Sequence, residues 1–324
     1  MVALHGGGNS LRAGSMLGRT ERRNVARAGA KGCIGIAATN GSISTWNSAH
    51  QSSSPITRSR WPNWPLRWRS AASTRCGPPS TRTFRFLGAH LRQVEANWQS
   101  ATVMDPFVTL AVAAAATKRL KVATGICLVI QRDTIQTAKL VASIDQVSGG
   151  RFLFGIGGGW IAEEIEAHGT VFKTRMQKMR EQMEAMKEIW TKDIIAYNGE
   201  IVKVPSMQTW PKPTQKPYPP ILLGGAFPYA ARRAIRYGDG WYPNASSGSP
   251  DDYMPRFRQM AAEAGRDPKS LPVTIGGAPE DLAQLQHFRD LGAARVNVSL
   301  PAEGREQVLP ILDRWTGFIR KLNG

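Results

Sequence analysis

Three short clusters of small residues carry the features that a flat, phosphate-bearing ligand would require. Gly157-Gly158-Gly159-Trp160 follows the apolar run of residues 151–156. Without a Cβ, such glycines let a planar ring reach the backbone where a strand ends. Gly224-Gly225-Ala226 closes a second apolar run, and Pro228 then stands near the start of a helical pattern. Open backbone amides at a helix start, with the helix's partial positive charge, suit a phosphate. Thr124-Gly125-Ile126 interrupts a third run, and glycine inside a strand signals a bulge or a close backbone approach. The first two clusters also read as tight turns and nothing more. His168, behind Glu163, Glu164 and Glu166, could hand a proton to a substrate or simply cap a helix. Arg132 and Asp133 could touch a ligand from the rim. Arg232 and Arg233 could meet ligand carboxylates or face solvent. A dinucleotide fingerprint counted from Gly155 fails, because Trp160 stands at its last glycine. The cysteines Cys33, Cys76 and Cys127 form no C-x-x-C pair, which predicts no metal site and a reducing compartment.

The elements that position these residues follow from periodicity. Residues 121–130 and 151–156 read as strands. Between them Asp133 predicts a helix N-cap, with Gln136 completing a capping box and Gly149-Gly150 ending the helix. Two apolar strands joined by one helix are parallel and need helices on their faces. The pattern continues with a helix over 105–117 and another over 173–190, whose Met176, Met179, Met183, Met186 and Trp190 form a stripe. That stripe reads as a core face, although methionines could also line a flavin-type ring. A hairpin is predicted to turn at Asn198-Gly199, and the six prolines within 205–220 predict an extended loop. Strands at 221–224, 240–242, 273–275 and 295–299 then alternate with helices at 229–237, 252–264, 280–291 and 306–322. With a first strand at 33–37 and another lost near Ser73, the total is eight, which predicts an α/β fold, a (β/α)8 TIM barrel. Residues 1–32 show no hydrophobic periodicity and read as a disordered extension, leaving 33–324 as one barrel domain. No apolar run is long enough for a bilayer, so a cytoplasmic protein is expected.

The stretch from Thr124 to Trp160 resembles the luciferase-like monooxygenase superfamily, in the branch that uses the deazaflavin coenzyme F420. The likeness extends through Trp210-Pro211-Lys212-Pro213, Pro219 to Gly225, and Arg232-Arg233-Ala234 to Trp241. The resemblance implies hydride transfer between reduced F420 and a small carbonyl, enone or imine substrate, with a flavin mononucleotide (FMN) monooxygenase on the same barrel as the alternative. It also implies a non-prolyl cis peptide at Gly125-Ile126 supporting the deazaflavin ring. Thr124, Gly125, Ile126, Gly157, Gly158, Gly159, Gly224, Gly225 and Ala226 would hold the cofactor. Barrels of this kind commonly pair, so a homodimer is expected.

Composition sets the first third apart. Residues 1–104 hold 14 Lys and Arg against Glu21 and Glu95 alone, while the remaining 220 residues hold 28 against 22 acids. Arg58, Arg60, Trp61, Trp64, Arg67, Trp68 and Arg69 would, at face value, suit a nucleic-acid-binding arm. A displaced reading frame explains the same residues better. Shifted by one nucleotide, GC-rich codons for 70–77 spell Arg-Gly-Phe-Asp-Ser-Leu-Trp, and the same shift turns 79–85 into a Glu-His-Thr-His phrase. Residues 93–98 become Gly-Gly-Gly-Glu-Leu. All three phrases resemble what the family places before its Asp-Pro-Phe, here Asp105-Pro106-Phe107. Residues 46–102 are therefore expected to be non-native and the second barrel strand defective or missing, so that the chain could be an inactive barrel.

Overall fold

The computed structural model describes residues 104–323, apart from 245–246 and 302–303. The predicted disordered extension, first strand and displaced stretch all lie outside these residues. Helix α1 (Pro106–Ala115) leads into strand β1 (Val122–Ala123), α2 (Thr134–Ser148), β2 (Phe152–Ile156), α3 (Ala162–Ala167) and α4 (Arg175–Thr191). An antiparallel hairpin, β3 (Ile195–Asn198) and β4 (Lys203–Met207), follows. Then come β5 (Ile221–Gly224), α5 (Tyr229–Tyr237), β6 (Gly240–Tyr242), α6 (Pro250–Glu263), β7 (Thr274–Gly276), α7 (Leu282–Asp290), β8 (Arg295–Asn297) and α8 (Arg305–Asn323).

Strands β1, β2, β5 and β6 pair in that order, all parallel. A single bridge, Trp241 to Val273, joins this sheet to the parallel pair β7–β8. Parallel strands in chain order with a helix between neighbours are the winding of a (β/α) barrel. The arc curls inward: the charge of Arg295 on β8 acts on Lys121, just ahead of β1 at the other end. Both faces of the strands are covered. Phe152, Phe154 and Ile156 face the helices within the main core, whereas Ala123, Leu153 and Leu222 form a separate cluster on the other face.

Local chemistry explains the helix limits. The Asp133 carboxylate accepts from Gln136 N at 2.7 Å, and Gly149 (φ 62°) closes α2 in the left-handed conformation that only glycine adopts freely. Arg151 caps two helix ends at once, donating to the Ala114 and Thr117 carbonyls at 2.8 and 3.0 Å and to the Ser148 carbonyl at 2.5 Å. The methionine stripe is core. Met179, Met183 and Met186 are fully buried and Trp190 donates to the Ala138 carbonyl at 3.0 Å. Each such side chain contributes about 1.5–3 kcal/mol. Met176 is the exception and serves the site described below.

Two strand limits differ from the sequence expectation. The apolar run 121–130 supplies only two strand residues, because the chain bends at a cis Gly125-Ile126 peptide and then enters a 3-10 turn, Val129–Gln131. Pro205 lies within β4 rather than in a loop, as a two-stranded hairpin with free edges tolerates. The turn of this hairpin is also wider than Asn198-Gly199. Asn198 pairs with Lys203, and the buried Glu181 carboxylate of α4 accepts from Ile201 N and Val202 N at 2.8 and 2.9 Å. The proline-rich loop is tied down by two buried groups. Lys212 donates to the carbonyls of Ile189, at 2.7 Å, and Lys192 at the end of α4. Asp145 accepts from both Gln215 N and its side-chain amide, at 2.8 and 2.7 Å.

Candidate active site

The glycine clusters meet where the parallel strands end, and the side chain of Ile126 is their common neighbour. A Cβ placed on Gly157 would fall 1.9 Å from Ile126 Cδ1, and one on Gly224 would fall 2.8 Å from Ile126 Cγ2. One on Gly155 would strike the Thr124 carbonyl oxygen at 2.1 Å. The close approach is maintained by the Thr124 hydroxyl, which donates to the Gly155 carbonyl at 2.7 Å. Cys127 N donates to the same carbonyl at 2.8 Å, and Gly157 N donates to the Cys127 carbonyl at 3.0 Å. Gly125 is exposed and Ile126 half-exposed, although Thr124 and Cys127 on either side are buried. A small apolar floor is thereby presented to solvent at the strand ends. The cis Gly125-Ile126 bond that the resemblance implied is present at its centre.

The Gly157–Trp160 and Gly224–Ala226 clusters frame this floor. A Cβ on Gly158 would lie 2.6 Å from Met176 Sδ, so the start of α4 packs directly on the glycine loop. Trp160, 63% exposed, stands at the outer end of that loop. Gly225 (φ 130°) is less available than the sequence suggested. Its N–H donates to the Tyr242 carbonyl, and its own carbonyl accepts from Trp241 Nε1, both at 3.1 Å. Phe227 N donates to Ser247 Oγ at 3.2 Å. The positive charge here comes from a residue for which the sequence left two readings open. Arg233 turns inward, with its Nη2 3.8 Å from the position a Gly225 Cβ would take, while Arg232 is exposed. Arg233 Nε is buried and has no hydrogen-bond partner among the described residues. Burial lowers the pKa of its guanidinium; Tyr237 opposes this, and the charge of Arg175 at the start of α4 lowers it a little further. Neither α4 nor α5 has a side-chain cap at its N-terminus. Two helix starts and two arginines therefore border one region, an electrostatic setting for an anion. Helical phase was the available signal: Arg233 flanks the buried Ala230 and Ala234, and Arg232 does not.

His168 ends the short helix that follows the glycine loop. It forms the C-cap of α3, and its Nε2 is buried without a partner. Burial first, then the positive charges of Arg132 and Lys178, hold its pKa below the usual histidine value. An imidazole in that setting is neutral at neutral pH. No hydrogen bond joins it to the glycine clusters among the described residues. Arg132 pairs with Asp105 at 2.7 Å and lies over the Phe107 ring, while Asp133 is occupied as a helix cap. Cys127 is fully buried, and burial pushes its thiol pKa up to about 12, so it is not a nucleophile. Among the described residues no group of His, Cys, Asp and Glu could hold a metal ion.

An α/β arc of chain-ordered parallel strands with glycines at the strand ends defines a protein of the (β/α)-barrel class, and comparison with known proteins names the family. Residues 87–279 match the family model described as luciferase-like monooxygenase. The protein belongs to the luciferase-like monooxygenase family. An uncharacterized protein of Mycobacterium tuberculosis (strain H37Rv) is 33% identical over 218 residues, covering 65% of this chain and 74% of its own. The F420-dependent hydroxymycolic acid dehydrogenase of the same organism is 28% identical over 58% of this chain and 52% of its own. The FMNH(2)-dependent dimethylsulfone monooxygenase of Pseudomonas putida is 34% identical over 41% of this chain and 37% of its own. The crystal structure of the monooxygenase RslO1 from Streptomyces bottropensis superposes with a TM-score of 0.50 at 23% identity, covering 67% of this chain and 68% of that one. That similarity supports the luciferase-like barrel fold. The family match begins within the stretch expected to be read in a displaced frame. No helix among the described residues is long and apolar enough to cross a membrane.

Proposed function

We propose that this protein is a deazaflavin (coenzyme F420)-dependent oxidoreductase acting on a small carbonyl, enone or imine substrate. The observation that carries this reading is the convergence of Gly157 and Gly224 on Ile126, because a Cβ at either glycine would displace the side chain that forms the floor. When bound, the deazaflavin supplies hydride, two electrons at a time. The chain's own residues bind and orient. Gly125 and Ile126 support one face of a planar ring, and Thr124 fixes their height through its bond to the Gly155 carbonyl. Gly157, Gly158 and Gly159 admit the edge of the ring. Gly224, Gly225 and Ala226 leave room for an anionic tail that Arg233 neutralises with its unpaired guanidinium edge. His168, neutral in its present setting, would serve as proton donor only after acquiring a proton from solvent or substrate. The relative from Pseudomonas putida favours a second reading on the same floor, an FMN-dependent monooxygenase. Both readings take residues 33–324 as one barrel domain in a cytoplasmic protein that binds a small molecule and pairs with itself.

The test is equilibrium dialysis of the full chain against F420 and against FMN, followed by absorbance of the retained material. The deazaflavin absorbs at the shorter wavelength, so the two are separable in a mixture. Preferential retention of F420 is expected. Retention of FMN alone would move the protein to the second reading, and retention of neither would end both.

A further inference from the structure

The strand arc carries a second polar constellation, at the end opposite the cleft. Thr274 and Arg295 are register partners at the first positions of β7 and β8. Their neighbours Ile275 and Val296 pack against Leu285, Phe288 and Trp315 of the surrounding helices. Successive strand residues face opposite sides, so Thr274 and Arg295 point into the concavity of the arc. Both are buried, at 0% and 7% exposure. Thr274 Oγ1, Arg295 Nε and Arg295 Nη1 are all shielded from solvent and have no hydrogen-bond partner among the described residues. Among the described residues no carboxylate pairs with the Arg295 guanidinium. Its charge bears instead on a second cation, the half-buried Lys121 ahead of β1.

A buried charge without a partner is costly, and a guanidinium does not escape by losing its proton at neutral pH. Burial lowers the Arg295 pKa only to about 10, so it stays charged. We infer that Arg295 and Thr274, with Lys121 at the lip, form a binding site for a small doubly charged oxyanion of the phosphate or sulfate type. Arg295 Nε offers a buried, unpartnered and charge-assisted N–H donor to an oxygen of such an ion. The threonine hydroxyl adds a neutral donor, and Lys121 balances the second charge. This site is separate from the cleft, because Thr274 and Arg295 begin their strands whereas Gly157 and Gly225 lie just past the ends of theirs.

The experiment is a thermal-melt titration of the full chain with inorganic phosphate at constant ionic strength. A saturable rise in melting temperature is expected. Arg295→Met should melt higher than the unsubstituted chain in phosphate-free buffer and lose the phosphate response, weakening apparent affinity at least about tenfold. Arg233→Met should retain that response, which separates this site from the proposed cofactor tail. An unsubstituted chain indifferent to phosphate, or an Arg295→Met chain that responds as fully, would overturn the inference. Should Arg295→Met fail to fold, Lys121→Gln at the half-buried lip supplies the second arm. A few-fold loss of phosphate affinity supports the site, and unchanged affinity refutes it.

Discussion

Gly157→Ala is the sharpest test of the floor built around Ile126. The new Cβ would lie 1.9 Å from Ile126 Cδ1 and 3.3 Å from Cγ1. Carbon atoms settle at about 3.5–4.0 Å, so the δ-methyl must move by more than about 1.5 Å. It is the free end of a flexible side chain and can rotate, but Gly224 blocks one direction, since a Cβ there would sit 3.2 Å from the same atom. The remaining direction is the cleft. We expect a stability loss of about 1–2 kcal/mol, in the range of mild overpacking, and cofactor binding weakened at least about tenfold. Gly155→Ala provides the contrast. Its Cβ would meet the Thr124 carbonyl oxygen at 2.1 Å, a backbone atom that cannot rotate away. Separating β1 from β2 also strains the buried Thr124–Gly155 hydrogen bond, so about 3 kcal/mol or more of stability should be lost. Urea unfolding and cofactor titration on the same samples distinguish the two patterns. The double variant Gly157→Ala/Ile126→Val lacks the offending δ-methyl and should recover much of the binding, with a coupling energy of about 1 kcal/mol. If Gly157→Ala binds cofactor like the unsubstituted chain and shows no coupling to position 126, Ile126 is not the floor of the site.

Arg233→Met should weaken binding of a phosphate-bearing cofactor about tenfold, whereas exposed Arg232→Met should leave it unchanged; parallel calorimetric titrations of the two variants check this. For Glu181, burial raises the pKa, but the hydrogen bonds from Val202 N, Ile201 N and Gln177 outweigh it and leave the value below the ordinary 4.5. A depressed folded-state pKa stabilises the protein above the unfolded value and ceases to do so as pH falls through the folded one. Glu181→Gln should therefore be less stable than the unsubstituted chain at pH 7, with the gap closing in acid; urea melts across pH establish whether it does. Lys212→Met would leave the Ile189 and Lys192 carbonyls without their donor and should cost about 1–3 kcal/mol by thermal melting, with no effect on cofactor affinity per folded molecule. Sequencing the coding DNA should reveal two compensating indels around codons 46–102, and a sound reading frame there would remove the displacement proposal.

Local sequence determined the elements and the family-like motifs. Asp133 and Gly149 set both ends of α2 through bonds that span a few residues, so their types alone sufficed. The glycines at 157 and 224 were legible for a similar reason, since only glycine survives where a side chain would strike a packed isoleucine. Tertiary structure decided what those glycines converge on. Ile126 is unremarkable in sequence, and it becomes the shared neighbour only when β1, β2 and β5 lie side by side. The pairing of β5 with β6 committed the Gly225 amide to Tyr242, 17 residues later, and left the unpartnered charge beside it to Arg233, whose inward turn depends on how α5 packs. Arg295 reads as one of 42 basic residues. Its burial beside Thr274 follows from the register of two strands about 20 residues apart, and strand register is fixed by packing across the whole sheet rather than by any local signal.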